Sequence, residues 1–240
     1  MTSPDGSRRP RYLHVRGQLV ERIRSGAWAP GQPIPSEFDI AREFGVSQGT
    51  ARMAVTALVA ENVVVRRQGL GTYVCEHTQE EEYARFSSVF DGERRRIATD
   101  TQSRQAVVAG ANRTERRDLN LAAGAKVLRI RRVRTRDGTP FILETVSVPA
   151  ALFPGLAQRE TLPATLYELY QKSYGVLVVR AEERLTAIAA DRAAAKTLRV
   201  AAGAPLLRIE RTAFALEGRP VECRVSLCYL ADAHYLARLK

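Results

Sequence analysis

The sequence predicts an α+β protein in two parts. A helical N-terminal unit closed by a short hairpin precedes a C-terminal unit of antiparallel strands with an internal duplication. Three observations predict it. Residues 12–60 carry helical periodicity cut by capping and turn signals, and residues 63–74 hold two β-branched runs around a Gly-rich turn. Residues 111–141 and 190–221 also align with one another.

Tyr12, Val15, Leu19 and Ile23 recur at helical spacing, with Arg16, Arg22 and Arg24 off the stripe, so a first helix is expected over Tyr12 to Ser25. "GAWAPGQPIP" then turns the chain. Ser36, three residues before Asp39, starts a second helix of about Glu37 to Phe44 as its cap, and Gly45 suits the positive φ that ends it. Ser47 caps a third helix running to about Ala60. Its Ala51, Ala54, Val55 and Leu58 share an apolar face, leaving Gln48, Gly49, Arg52 and Thr56 toward the other. The basic hairpin that follows turns at Gly69 and Gly71. Helix, helix, tight turn, helix and hairpin make a winged helix-turn-helix.

In such a unit the third helix enters the major groove. Arg52 is the sharpest candidate for guanine or phosphate, because a guanidinium grips either in bidentate fashion. Ser36, Ser47 and Thr50 can donate to phosphate, beside the helix N-termini that start at Glu37 and Gln48; the two serines can be caps, contacts or both. Gln48 can pair with adenine, and Gly49 offers no side chain. In the wing, Gly69 and Gly71 let the backbone approach closely while Arg66, Arg67 and Gln68 supply phosphate or minor-groove contacts. Arg66 and Arg67 alternate along a strand, so one of the two is expected to face DNA.

"IPSEFDIAREFGVSQGTARMAVTALVAENVVVRRQGLGTYV" resembles the DNA-binding domain of GntR-family transcriptional regulators. The shared pattern is a Pro-Ser-Glu helix start, a Gly-Val-Ser turn, Thr-x-Arg, and Arg-Arg-Gln-Gly-x-Gly-Thr in the wing. The resemblance adds Glu37 to the DNA-binding set and implies operator DNA as partner. Phe38 and Gln48 depart from the family, whose members often carry Arg at both places; the guanine-centred target usual for the family is therefore in question here.

In the second half, Leu119, Gly124, Leu128, Ile130 and Arg132 match Leu198, Gly203, Leu207, Ile209 and Arg211 at an offset of 79, and Gly138 and Pro140 match Gly218 and Pro220 at 80. Each copy reads as a short helix, a turn, a strand, a turn and a strand. Two such units predict antiparallel strands meeting across a pseudo-two-fold axis, with a cleft suited to a ligand. Arg132 and Arg134 continue the face of Leu128 and Ile130. Buried, they need an anionic partner; the other reading has them emerge into solvent beside Asp137 and Gly138.

"RTRDGTPFILETVSVP", "FPGL", "LYELYQKSYG" and "GRPVECRVSLCYLADAHY" resemble the UTRA effector-binding domain of the HutC subfamily, which has a chorismate-lyase-like fold. That resemblance implies an effector site at Arg132, Arg134, Glu144, Glu222 and Tyr229, taking an anion such as a sugar phosphate, in a repressor whose operator affinity the effector controls. "GERRRIATDTQSRQ" matches the family's phosphate-binding loop poorly, and Arg94 to Arg96 read equally as a solvated basic face.

The domains are therefore expected as a flexible N-terminus (1–10), a winged helix-turn-helix (11–76), a polar linker with little to pack (77–83) and a UTRA domain for effector binding and dimerisation (84–240). A homodimer is expected because two half-sites multiply the affinity of a small reading head.

Composition bounds the rest. With 45% hydrophobic and 26% charged residues the chain is globular, and no apolar run reaches membrane-spanning length, so a cytoplasmic protein is expected. Cys75, Cys223 and Cys228 have no CxxC spacing and His14, His77 and His234 are scattered, so neither a metal nor a cofactor is expected. The net charge of +11 suits a polyanion, yet residues 1–77 hold 10 Lys and Arg against 7 Asp and Glu, so most of the excess lies further on. Two rivals are an enzyme of the lyase-like fold, for which no nucleophile–base pair is legible, and a nonspecific architectural DNA binder using that basic excess.

Overall fold

The computed structural model describes the backbone of residues 10–97 and 100–237, and their side chains except at positions 79, 83, 102–105 and 217. The expected flexible N-terminus, 1–10, lies outside the described residues except for Pro10.

The first unit forms α1 (Arg11–Arg24), α2 (Glu37–Phe44), α3 (Gln48–Ala60), β1 (Val64–Arg67) and β2 (Gly71–Val74). The α2 and α3 caps are the expected ones: Ser36 Oγ accepts from Asp39 N–H at 3.1 Å and Ser47 Oγ from Thr50 N–H at 3.2 Å, while Gly45 takes φ +60°. Val15, Leu19, Ile40, Ala51, Ala54, Val55 and Leu58 close the core beneath them. On α1, Val20 is buried along with Val15 and Leu19, while Ile23 is only partly covered, so the buried stripe is rotated slightly from the one expected.

The polar-linker expectation for residues 77–83 does not hold. Gln79–Phe86 form a helix, α4, and both His77 and Glu82 are buried. The physical reason is hydrogen bonding across the boundary. His77 N–H donates to Gln171 Oε1 and Gln171 Nε2 to Cys75 O, both at 2.7 Å, while Glu82 Oε2 accepts Tyr167 N–H at 3.0 Å. Leu177 and Val179 from the second half also join the core of the first.

The second unit continues with β3 (Val89–Asp91), β4 (Asp100–Gly110), α5 (Arg113–Asp118), β5 (Lys126–Arg136), β6 (Thr139–Pro149), α6 (Tyr167–Tyr174), β7 (Val178–Ala189), α7 (Arg192–Leu198), β8 (Pro205–Ala215), β9 (Pro220–Cys228) and β10 (Ala233–Tyr235). Six strands form one antiparallel sheet in the order β4-β5-β6-β9-β8-β7. The duplication is laid out across its middle. Thr145 pairs with Val225, the residue 80 positions on, so the pseudo-two-fold passes through that pair. Each repeat helix packs across the axis, α5 on β9 and α7 on β6. One sheet face is sealed by α6 and its preceding loop, where Leu128, Ile130, Val146 and Val148 meet Phe153, Leu166, Tyr167 and Tyr170.

Candidate functional site

On the first unit, one carboxylate organises the exposed face. Glu37, the first residue of α2, accepts Arg52 Nε at Oε2 and Arg66 Nη2 at Oε1, each at 2.9 Å. Arg66 Nη2 also reaches Thr56 Oγ1 at 3.0 Å. The start of α2, the middle of α3 and the wing are thus tied at one point, with both arginines still exposed. Gln48, Gly49, Gln68 and the wing glycines are exposed too, Gly69 and Gly71 at φ +72° and +113°. Arg67 stacks on the Tyr73 ring at 4.6 Å, on the other side of the strand from Arg66. Phe38 is 62% exposed, so no core packing accounts for it.

In the second unit a cavity opens where the two repeats meet. Arg134 and Glu144 border it from the first repeat, Arg211, Arg224 and Glu183 from the second half, and Phe86 from the end of α4. Arg211 Nε donates to Glu183 Oε1 at 2.7 Å, and its Nη2 donates to the Phe86 carbonyl. Arg224 Nε donates to Glu222 Oε1 at 2.9 Å, and Glu222 also takes the hydroxyls of Tyr170 at 2.8 Å and Tyr167 at 3.3 Å. Arg132 Nε donates to Glu144 Oε2 at 2.5 Å, while its Nη1 donates to Ala164 O at 2.9 Å. Burial alone would raise the Glu144 pKa, but Arg132, Arg224 and Arg134 hold it well below the usual carboxylate range. Glu82 lines an adjoining cavity that shares Arg134, Arg211 and Arg224 with the first, and burial, which outweighs the arginines near it, pushes its pKa up.

Residues 11–74 match the family described as bacterial regulatory proteins, gntR family, and residues 94–234 match the UTRA domain. The chain belongs to the gntR family. A probable fructoselysine utilization operon transcriptional repressor of Escherichia coli K12 is 30% identical over 90% of this chain and 89% of its own length. The histidine utilization repressor of Pseudomonas aeruginosa is 28% identical over 95% of this chain and 90% of its own, which supports the HutC grouping. Among solved structures, the ligand-binding domain of a GntR-family regulator from Bordetella bronchiseptica is similar with a TM-score of 0.61, at 30% identity over 65% of this chain and 98% of that one. PhnF from Mycobacterium smegmatis is similar with a TM-score of 0.55, at 25% identity over 94% and 99%. Like its relatives, this GntR chain is a DNA-binding transcriptional regulator with a UTRA domain, and not an enzyme.

The effector residues that sequence reasoning selected are only partly assembled in this GntR chain. Arg134 and Glu144 border the cavity. Arg132, its side chain 1% exposed, is spent on Glu144, so neither solvent nor the cavity receives it. Glu222 is buried beside the cavity's Arg224. Tyr229 is not brought to the site: it packs with Leu143, Leu227 and the α7 residues Ala194, Ala195 and Leu198. Its neighbour Cys228 points into the cavity, and successive strand residues point to opposite faces. Arg211, Arg224, Glu183 and Glu82 were missed. The signal for Arg211 was present, because the duplication matches it to Arg132. Arg94, Arg95 and Arg96 are exposed, as the solvated reading had it. Among the described residues no group of His, Cys, Asp and Glu could hold a metal, and no helix is long and apolar enough to cross a membrane.

Proposed function

We propose that this regulator is a homodimeric repressor acting in the cytoplasm, whose α3 reads the major groove of operator DNA while its wing follows the backbone. Residues 11–76 form the reading head and residues from 84 onward the effector and dimerisation domain. Arg52 and Gln48 contact base edges. Ser36, Ser47, Thr50, Gln68 and Arg66, the wing arginine that Glu37 holds beside α3, contact phosphate or minor groove, and Gly49, Gly69 and Gly71 give room for close approach. The observation that carries this reading is the Glu37 bridge, which pre-positions one cation on the recognition helix and one on the wing. Gly49 supports it. An added Cβ there meets only Ser47 Oγ at 3.9 Å, so folding does not require glycine at a position where helices favour alanine.

The cavity between the repeats binds an anionic effector, the class that includes the sugar phosphates implied by the resemblance. Phe86 at the end of α4 and Arg211 in the cavity wall share a hydrogen bond, so occupancy of the cavity bears on the segment that leads to the reading head. The effector lowers operator affinity only as far as it prefers the conformation that binds DNA poorly. Fluorescence anisotropy on the gene's own upstream duplex, with and without candidate effectors, tests the pairing. Sequence-selective binding that a matched effector weakens is expected; equal binding to scrambled DNA would reject it. Sedimentation tests the dimer.

A further inference from the structure

The two repeats are not equivalent where they meet the cavity. In the first, the β5–β6 register sets Arg132 opposite Glu144, and the two form an ion pair. In the second, the β8–β9 register sets Arg211 opposite Arg224. The carboxylate of one copy is thus a guanidinium in the other, and like charges directly opposed across strands cost stability. Glutamates from elsewhere offset the cost. Glu183 lies 2.6 Å from Arg211 Nη2, and Glu222 lies 2.9 Å from Arg224 Nη2 without the alignment of a hydrogen bond there.

The charge in this buried cluster is closely balanced. Its guanidiniums belong to Arg132, Arg134, Arg211 and Arg224 and its carboxylates to Glu82, Glu144, Glu183 and Glu222. Burial weakens the Glu82 charge, which leaves one uncompensated positive charge at most among these described side chains. The cavity wall also carries an apolar patch, Val89, Ile97, Phe141, Ile142 and Ile209 in contact with one another, beside Ser87, Ser88, Ser226 and Tyr235. A phosphate monoester brings about −1.5 to −2 charges at pH 7, more than the cluster can neutralise. A carboxylate brings one charge in the planar shape that guanidinium matches.

Building on the anion-site reading above, we propose that the effector is a carboxylic acid with an apolar body. Its single charge sits at Arg134, Arg211 and Arg224 and its body against Ile97, Phe141 and Ile209.

Titration calorimetry on the full-length protein tests this with aryl and alkyl monocarboxylates (3-phenylpropionate and hexanoate among them), their amides, phenyl phosphate and glucose 6-phosphate. Arg134→Gln, Arg211→Gln and Arg211→Lys are compared, with melting temperatures to establish folding. At least one carboxylate should bind tenfold or more tighter than its amide and than either phosphate. That binding should be lost in the glutamine variants and partly retained in Arg211→Lys. A phosphate that outbinds every carboxylate, yet loses binding in the glutamine variants, would overturn the carboxylate class and leave the anion site standing. No anion binding, or binding equal in wild type and the folded glutamine variants, would overturn both.

Discussion

Glu37 gives one carboxylate oxygen to Arg52 and the other to Arg66, each at 2.9 Å. The pairs are exposed enough that their worth to folding is small; their role is aim. Removing the carboxylate adds a net positive charge to the head while freeing both arginines. Glu37→Ala should therefore weaken operator binding and strengthen binding to a scrambled duplex, narrowing the ratio between them. Arg52→Ala should cost about 1–3 kcal/mol on the operator. Anisotropy titrations on both duplexes read both effects, and an unchanged ratio in Glu37→Ala would show that the bridge does not aim the arginines.

Gly49 separates folding from reading. Alanine there should stabilise the fold by about 0.5–1 kcal/mol, because nothing lies close to the added carbon and glycine is a poor helix former. The same methyl group stands on the surface assigned to the major groove, so operator affinity should fall. Thermal melting and operator titration of one variant suffice; a stabilised protein with full affinity would remove Gly49 from the interface.

His77 should make the junction between the units sensitive to acid. A carbonyl oxygen only accepts, so His77 Nε2 carries the hydrogen donated to Val178 O at 2.8 Å, and burial favours the neutral ring. Burial, aided by the nearby Arg85 charge, lowers its pKa from 6.5 to about 4. A histidine depressed on folding contributes stability that is whole above pH 6.5 and is lost as pH falls through 4. The loss reaches on the order of 3 kcal/mol. Urea midpoints between pH 7.5 and 4 should fall in wild type and fall less in His77→Gln; parallel curves would contradict this.

Glu144 neutralises three guanidiniums from a buried position: Arg132 at 2.5 Å, Arg224 at 3.6 Å and Arg134 at 3.8 Å. Glu144→Gln leaves them without that charge and should destabilise the fold by about 3–5 kcal/mol in denaturant titrations. A loss below about 1 kcal/mol would mean that the other glutamates suffice. Tyr229→Phe is the matching control. Its ring packs under α7 and away from the cavity, so effector binding should not change.

Much of this protein was legible locally. Ser36, Gly45 and Ser47 mark helix ends through interactions spanning three or four residues, so α2 and α3 could be bounded from the chain alone. The duplication was legible as well, because a repeat is a property of the sequence, and it implied the symmetric sheet. The effector site was less so. Arg132 and Arg134 look alike on paper, but only Arg134 borders the cavity, because Glu144 and the Ala164 carbonyl hold Arg132 inside. Residues 77–83 read as linker because their partners, Gln171, Tyr167 and Val178, lie 85 to 101 positions away.

The sequence by itself determined the two-part architecture, the helix caps, the basic wing and the repeat, since each follows from nearby residues or from self-similarity. Tertiary structure decided which side chains share a face. The register of β6 on β9 puts Cys228 toward the cavity and so turns Tyr229 away, and the register of β8 on β9 sets Arg211 against Arg224. Strand side chains alternate with period two, so membership of a site depends on pairings between distant residues that no local pattern specifies.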